Sequence, residues 1–424
     1  MRRVVVQNVP ALTLHPRIFT NTESVDRVEI RSTRMTQMDP FVFEGLKDVG
    51  GIVLDRVDVG NVQSYALSGI HFRRRGPAPT SGLKTDGMER QVNGSNAVFE
   101  TVSSRREDRK VRRKARYDLS GGLLNITSCH IGALSTDAFR DANLARILLS
   151  RTDVDRLEKH AFRGVSGLQS LRIVDCRLGS SIGAESFASL RGLRRLHVAG
   201  LVDTRVVEPF AFRGTTDVDE LVIHFRSDDV TLRTEAFAHV SDVGTLELRG
   251  SQTGTGNIDS ESSTTALSID AGAFRNLVGV EHLRIADFKL PTLRRHSFSG
   301  LSRVGNLTIA DCSVRGIEHE AFGDVAGHVG AIGLLDLGVG NQLRCDCGAT
   351  SGVAELQREL AQRFSDYRVL CRVDNADTEH VSYVDVRQMD TSICSSGCSR
   401  WTVLSTSSIL SVVAVALLKL AVYR

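Results

Sequence analysis

Several residue types are scarce in this chain of 424 residues, and each scarcity excludes a class of protein. One Trp and five Tyr argue against an aromatic surface that stacks on sugars or bases. Seven prolines argue against a Pro-rich scaffold, and a net charge of +3 argues against a polyelectrolyte. Charged residues at 24% and apolar residues at 41% exclude a disordered chain and a polytopic membrane protein.

Catalytic and cofactor signatures are also missing. The sequence has no G-x-S-x-G, H-E-x-x-H, P-loop or dinucleotide-binding motif. His197, His224 and His282 fall near predicted strands, but at positions that are not equivalent, so we interpret them as solvated surface groups. We therefore expect no enzyme activity, no cofactor and no metal site.

A periodic series of phenylalanines dominates what is present. Ten of the 17 Phe residues recur mostly at steps of 23 to 25 residues, and an apolar-x-apolar pair precedes nine of them by 15 or 16 residues. Such self-similarity is typical of a solenoid of stacked units. The series consists of Phe19, Phe43, Phe139, Phe162, Phe187, Phe212, Phe237, Phe274, Phe298 and Phe322.

One unit reads Leu168-x-x-Leu171-x-Ile173-x-x-Cys176-x-Leu178, and residues 304–314 repeat it. This pattern resembles the leucine-rich repeat consensus L-x-x-L-x-L-x-x-N/C-x-L, over roughly residues 4 to 343. The resemblance implies an α/β fold, a horseshoe-shaped solenoid with a concave parallel β-sheet. Stacked units would then bury one continuous core, with each Phe entering from the convex side.

Three cysteines, Cys129, Cys176 and Cys312, occupy the N/C position of the consensus. At that position the side chain points inward and satisfies backbone groups of the neighbouring loop. Because the three belong to different rungs, we predict buried, unpaired thiols rather than a redox or metal site.

The regular spacing of the phenylalanines is interrupted between Phe43 and Phe139. Tyr65-Ala66-Leu67 matches the Ala-Phe site with Leu in place of Phe, and removing residues 71–117 restores a spacing of 25. We therefore predict repeats over 1–70 and 118–343, separated by a disordered insertion over 71–117. Its basic stretch 105–116 is compatible with a polyanion-binding segment, a processing site, a solvated loop without a role, or a translated intron.

A smaller Ser/Thr/Gly-rich loop is expected over residues 250–265. At the start, Val4 and Val6 fall inside a repeat, without a signal peptide or cap before them. We therefore expect that the N-terminal cap and signal peptide are missing from this sequence.

A Cys-rich segment, residues 344–397, follows the repeats. Its C-x-C…C…C array resembles the C-terminal cap of extracellular leucine-rich repeat proteins. That resemblance implies the disulfides Cys345–Cys371 and Cys347–Cys394, an oxidising compartment and a helix over 353–364. Spacing alone allows three connectivities, and a zinc site is the alternative, although C-x-C with long gaps fits zinc poorly.

The last segment, residues 398–424, is an apolar tail with one Lys. Small residues, a polar spacer and a terminal apolar run are the layout of a GPI signal, with Ser396 or Gly397 as the attachment site. A transmembrane anchor is the alternative. Either form predicts a cell-surface protein, with which the sequons at Asn93, Asn125 and Asn306 are compatible.

Recognition is the function that these features favour. The resemblance extends to connectin-like and chaoptin-like adhesion proteins and to the SLIT-type repeat class, which implies adhesion or co-receptor binding of a protein ligand. A secreted non-catalytic subunit or carrier is the alternative, and no nucleic acid partner is expected. We predict that the ligand contacts outward-facing strand residues: Arg172, Arg195, His197, Glu220, His224, Glu247, Arg249 and Arg284.

Overall fold

The structure, a computed structural model, shows a stack of coils that each begin with a β-strand. Parallel strands from successive coils pair side by side, so the chain forms a β-solenoid of stacked coils. The structure describes residues 3–72, 122–251, 264–323, 332–338, 343, 353–374 and 381–389.

The strands follow one another in chain order through the stack. The first part comprises β1 Arg3–Gln7, β2 Arg27–Met38, β3 Lys47–Val49, β4 Gly51–Val62, β5 His71–Phe72, β6 Gly122–Thr127, β7 His130–Leu134, β8 Leu144–Ser150, β9 Asp153–Leu157, β10 Ser170–Val174, β11 Ser181–Ile182, β12 Arg195–Leu201 and β13 Val206–Val207. The second part comprises β14 Thr216–Phe225, β15 Asp229–Leu232, β16 Ser241–Arg249, β17 Ala266–Ile269, β18 Leu277–Ala286, β19 Lys289–Leu290, β20 Leu301–Ser302, β21 Val304–Ala310, β22 Ser313–Val314, β23 Ile332–Leu337, helix α1 Val353–Arg363, β24 Phe364–Asp374, β25 Val381–Asp385 and a 3₁₀ turn Val386–Gln388.

Two sheets cover two sides of the stack. The large sheet takes the first strand of every coil, from β1 through β2, β4, β6 and so on to β24. Short strands later in six of the coils form the second sheet, in the order β11-β13-β15-β17-β19-β22. Alternate residues of the long strands point inward and are buried.

The expected α/β class is wrong, because α1 is the single α-helix of the described residues and belongs to the cap. In the repeats, short strands and turns take the place of helices. The physical reason lies two residues before each Phe, where the backbone is left-handed, as at His160 with φ 56° and Glu185 with φ 58°. A left-handed residue ends a right-handed helix. The predicted horseshoe curvature stays a prediction.

The phenylalanines form a stacked column inside the solenoid. Rings of successive coils lie nearly parallel, with centroids 4.9–5.7 Å apart and interplanar angles of 21° or less. Such offset stacking adds about 0.5–1.5 kcal/mol per pair to the gain from burial. The predicted role of the Phe series as core is confirmed, since every member is buried.

A second ladder runs beside this column. The left-handed residue of each coil donates its N–H to the carbonyl of the equivalent residue in the next coil, as in His160 to Glu185 at 2.9 Å and Glu185 to Phe210 at 3.2 Å. The same bond continues to His296, which donates to Glu320 at 2.8 Å. Every coil therefore satisfies the backbone of its neighbour.

The predicted substitution of Leu67 for a phenylalanine is confirmed. Tyr65 donates its N–H to Asp137 at 2.9 Å, and Leu67 donates to Ala138 at 3.2 Å, so the two coils stack directly although 72 residues separate Leu67 from Phe139. His130 reinforces this junction, with its ring nitrogens 3.1 Å from Asp58 and 3.2 Å from Asp155. The hydrogen bond to Asp58 raises the pKa of His130.

The boundary of the large insertion differs slightly from the prediction. His71 and Phe72 form β5 and belong to the coil, so the repeats reach beyond the predicted end at residue 70. Phe72 packs so closely on Gly122 that a Cβ on this glycine would lie 2.0 Å from the ring. Both ends of the intervening segment therefore meet at one place, and residues 73–121, including the basic stretch 105–116, lie outside the described residues.

The smaller predicted loop has the same arrangement. Thr265 donates its N–H to the carbonyl of Ser251 at 3.2 Å, and Ser251 donates back to the Thr265 hydroxyl at 3.1 Å. β16 and β18 pair across this point in regular register. The solenoid is thus continuous here, and residues 252–263 lie outside the described residues.

The last coils end on the helix that the sequence predicts. α1, Val353–Arg363, lies within one residue of the predicted 353–364. β24 follows it and continues the parallel sheet, with Phe364 opposite Ile332, and β25 then pairs antiparallel. The Glu359 carboxylate accepts the N–H groups of Glu320 at 3.0 Å and Phe322 at 3.2 Å. These are the donors that a further coil would satisfy, so Glu359 terminates the ladder.

Three cysteines confirm the predicted inward position. Cys129, Cys176 and Cys312 are buried and free. Each thiol contacts a backbone carbonyl two residues earlier, and the N–H of Val57 on the preceding coil donates to the Cys129 sulfur at 3.4 Å. Burial raises all three pKa values, that of Cys176 to about 11 and that of Cys312 to about 12.

Removing the carboxylate cap should destabilise the stack. We expect Glu359→Ala to lower the free energy of unfolding by about 1.5–3 kcal/mol, because two partly buried N–H groups lose a charged acceptor. The matched control is Glu355→Ala on the same helix. Glu355 makes an exposed pair with His319 at 3.0 Å, and its loss should cost less than about 1 kcal/mol. Urea denaturation measures both, and equal losses would contradict the capping role.

The buried thiols should be inert in the folded protein. At pH 8 a thiol with a pKa near 11 is almost fully protonated, and only the thiolate reacts with alkylating reagents. We expect iodoacetamide to leave Cys129, Cys176 and Cys312 unmodified until urea unfolds the chain. Peptide mapping by mass spectrometry gives the result, and native labelling at the rate of the unfolded chain would contradict the structure.

Candidate protein-binding face

The outward residues of the large sheet form one continuous surface, here called the sheet face. Each strand contributes the residues that alternate with its buried pair. Because the strands pair in regular parallel register, these residues line up in rows across the coils. The middle row runs Val5, Glu29, Val53, Asn125, Leu148, Arg172, His197, Val222, Glu247, Arg284, Thr308, Asp336 and Arg368.

All eight predicted ligand-contacting residues lie on this face. Four of them, Arg172, His197, Glu247 and Arg284, belong to the middle row. On one side, Arg195 lies opposite Glu220, and on the other side His224 lies opposite Arg249. The structure therefore brings together residues that are up to 112 positions apart in sequence. Their role in binding stays a prediction.

Most charges on the face are already compensated within it. Arg195 donates its Nε–H to Glu220 at 3.1 Å, and His197 lies 3.2 Å from the same carboxylate. Two coils further on, the Glu247 carboxylate lies 2.9 Å from Arg249 and 3.7 Å from Arg284. Such pairs order the surface, and the pair of Arg195 with Glu220 contributes little to stability, since both of its partners are exposed.

Burial shifts the pKa values of two groups near Arg249 on the sheet face. Desolvation, with the nearby Arg249 as a second cause, lowers the pKa of His224, so this imidazole is neutral at pH 7. Desolvation also raises the pKa of Asp287, against the opposing effect of Arg249, which lies 3.4 Å away.

Both ends of the face carry further ion pairs that sequence reasoning missed. The buried carboxylate of Glu29 lies 2.7 Å from Arg31, with Arg27 at 3.6 Å. At the other end, Arg368 donates two hydrogen bonds of 2.9 Å to Asp336, which raises the pKa of this arginine. The sequence pattern could have indicated these residues, because they flank the apolar pair of their own unit.

A neutral panel lies between the first and the middle coils. Asn125 lies between Val53 and Leu148 in the middle row, and Leu123 is the neighbour on its own strand. Each of these four side chains is half-buried, so the panel is apolar but partly open. The Thr127 hydroxyl donates to the Asn125 side chain at 2.9 Å within one sequon.

Two arginines border this panel, Arg146 and Arg172. Both side chains are exposed, and no described carboxylate lies within salt-bridge distance of either. Arg146 was not predicted, although it directly precedes the apolar pair Ile147/Leu149 of its unit. It occupies the position that Arg195 holds two coils later.

Other predicted site residues divide between described and undescribed parts of the chain. Asn306, in β21, faces outward with its side-chain nitrogen 3.3 Å from His282. Cys371, in β24, is buried and disulfide-bonded to a partner outside the described residues, so its pairing with Cys345 stays a prediction. The remaining sites lie outside the described residues: Asn93, Cys345, Cys347, Cys394, Ser396 and Gly397.

The turns beside the Phe column leave one open hollow of about 330 Å³. His160, Glu185 and Arg213 line it, and Glu185 lies 3.2 Å from His160 and 3.4 Å from Arg213. Glu185 and Arg213 form an ion pair within the hollow. Within the described ranges, no group of three or more His, Cys, Asp or Glu residues is placed to hold a metal ion.

The predicted tail, residues 398–424, lies outside the described residues. Among the helices that the structure describes, none combines the length and apolarity that a membrane crossing requires.

Comparison with known proteins gives one family match, over part of the chain. The model of the BspA type leucine rich repeat region matches residues 132–257 and 254–326, in six copies. No curated protein matches the chain. Among solved structures, the chain is similar to one in the octameric complex of Latrophilin 3, Unc5D and FLRT2, with 15% identity, 91% of this chain and 89% of that chain covered, and a TM-score of 0.44.

The matched residues include seven successive coils, whose strands and Phe column are the same as in the coils on either side. Residues 132–326 are therefore similar to the BspA type leucine rich repeat region.

Proposed function

We propose that the chain is an extracellular, membrane-anchored leucine-rich repeat protein that binds a protein ligand through the sheet face, in an adhesion or co-receptor role without catalysis. One observation carries the proposal: outward side chains of many coils lie in register on one exposed or half-exposed surface. A stack of this kind presents an extended surface of fixed spacing, the form that solenoid proteins use for binding.

Two sequons support an extracellular setting. Asn125 and Asn306 lie in strands of the sheet face, separated by the coils that carry the eight predicted contact residues. Glycans at both positions would border the middle coils without covering them. A disulfide at Cys371 agrees with an oxidising compartment, and a disulfide-stapled cap over residues 344–397 is part of the proposal.

Anchoring is the part of the proposal that rests on the sequence alone. Small residues at 395–397, a polar spacer and the apolar run up to residue 424 have the layout of a GPI signal. A GPI anchor would leave the whole chain outside the cell, which suits a protein whose recognisable parts are all binding surface. A transmembrane anchor and a secreted subunit are the alternatives.

Phospholipase treatment distinguishes these forms. The chain is expressed in animal cells behind a secretory signal peptide, with an epitope at its N-terminus. We expect phosphatidylinositol-specific phospholipase C to release the epitope into the medium, because the lipid is the only link to the membrane. Ser396→Leu with Gly397→Leu is the matched variant, since a bulky attachment site blocks GPI transfer.

Each other result has its own meaning. A surface protein that resists the enzyme supports the transmembrane form. A protein found only in the medium before treatment contradicts anchoring and favours the secreted subunit, whereas a cytosolic protein contradicts the extracellular proposal.

A further inference from the structure

The charges of the sheet face that lack an ion-pair partner among the described residues indicate the chemistry of the ligand that this face would bind. A partner that approaches Glu220 must compete with Arg195, whose Nε–H already binds that carboxylate at 3.1 Å. Glu247 forms an ion pair with Arg249, whose nearest guanidinium nitrogen lies 2.9 Å from the carboxylate. A partner gains less from a charge that is already compensated, since it has to displace the resident side chain.

Arg146 and Arg172 differ from the other arginines of the sheet face. Arg3, Arg27, Arg31, Arg195, Arg249, Arg284 and Arg368 each have a carboxylate on that face within 4 Å. In the described part of the chain, no such carboxylate accompanies Arg146 or Arg172. Their guanidinium groups therefore offer complete sets of donors to a partner.

The distance between these two arginines determines how far apart two carboxylates bound by them can be. Arg146 lies opposite Ser170, so Arg172 is one strand and two residues away. Neighbouring strands are about 4.8 Å apart and two residues span about 6.6 Å, which gives a diagonal of about 8 Å between the two Cα atoms. Carboxylates on alternate residues of an extended segment are about 7 Å apart, and arginine side chains bridge the difference.

The surroundings of the pair are apolar. Leu148 lies directly beside Arg172 in the middle row, and Val174 is the neighbour of Arg172 on its own strand. Leu123, one strand away on the other side, lies beside Arg146. A partner that binds here therefore contacts two positive charges surrounded by half-buried aliphatic side chains. These two charges are not part of a longer row of cations.

From this arrangement we infer that Arg146 and Arg172 bind two carboxylates of an extended acidic and apolar peptide segment of the protein partner, with an aliphatic side chain of that segment packed on Leu148. The inference rests on the proposed function of the sheet face. Bidentate arginine–carboxylate pairs supply the specificity, and the apolar contact supplies area. A sulfated polysaccharide or a nucleic acid is disfavoured, because Asp55 and Glu220 stand among the outward residues on either side and would repel a continuous polyanion.

Selection from a random peptide library tests the inference and does not require an identified partner. Phage-displayed peptides are selected on the purified full chain in detergent, and the enriched peptides are synthesised. We expect them to carry Asp or Glu at alternate positions around a Leu, Ile or Val. Arg146→Glu with Arg172→Glu should weaken their binding at least tenfold, and added salt should weaken their binding to the unchanged protein.

Three controls keep the outcomes apart. Arg294→Glu with Arg315→Glu makes the same charge change at two exposed arginines that lie off the sheet face and should leave binding unchanged. Glu220→Lys with Glu247→Lys tests the rest of the sheet face. Circular dichroism melting curves check that all three variants fold as the parent does.

Each outcome supports or overturns the inference. Acidic peptides whose binding is lost only in the Arg146 and Arg172 variant support it. Peptides that depend on Glu220 and Glu247 but not on the arginines overturn it and leave the proposed function standing. Peptides that no sheet-face variant weakens overturn both, and so does a selection that enriches no peptide when a heparin fragment does not bind either. Binding of a heparin fragment through the two arginines, with no peptide enriched, also overturns it in favour of a polyanion.

Discussion

No coil of this protein can bury its own apolar residues, and the whole structure depends on how neighbouring coils remove them from water. The inward residues of one strand and the face of one phenylalanine ring are covered only by the next coil. Only the strand and the phenylalanine ring of each coil must stack on their equivalents in the next coil. The chain between them is free to vary, which explains why a segment of 49 residues between Phe72 and Gly122 leaves the stack intact.

The same dependence creates a problem where the stack ends. A parallel sheet offers unpaired backbone groups at its last strand, and a ladder of turns offers unpaired N–H groups at its last turn. Here the cap solves both problems within residues 353–389. β24 extends the sheet and β25 turns it antiparallel, while Glu359 supplies both oxygens of its carboxylate to the turn. A carboxylate suits this position because it accepts two hydrogen bonds that a backbone carbonyl pair would accept elsewhere.

Much of this architecture could be predicted from the sequence, and the limits have physical causes. The Phe series, the apolar strand pairs, the inward cysteines and the cap helix each leave a periodic or local signal, and each prediction is confirmed. The α/β class was wrong because the left-handed turn residue varies in type, as in His160, Glu185 and Phe210, and so leaves no motif. Glu359 could not be predicted, since its partners lie 37 and 39 residues away and carry only backbone groups.

The sheet face shows the same division between pattern and contact. Register follows from the repeat, so the sequence predicts which residues share a row. Whether a charge in that row is free depends on its neighbours across the strands, and those differ from coil to coil. Arg195 and Arg146 occupy the same position in their units, yet Glu220 stands beside the first and neither neighbour of the second is acidic. In a scaffold of nearly identical coils, binding specificity therefore depends on the places where the lateral pairing of charges fails.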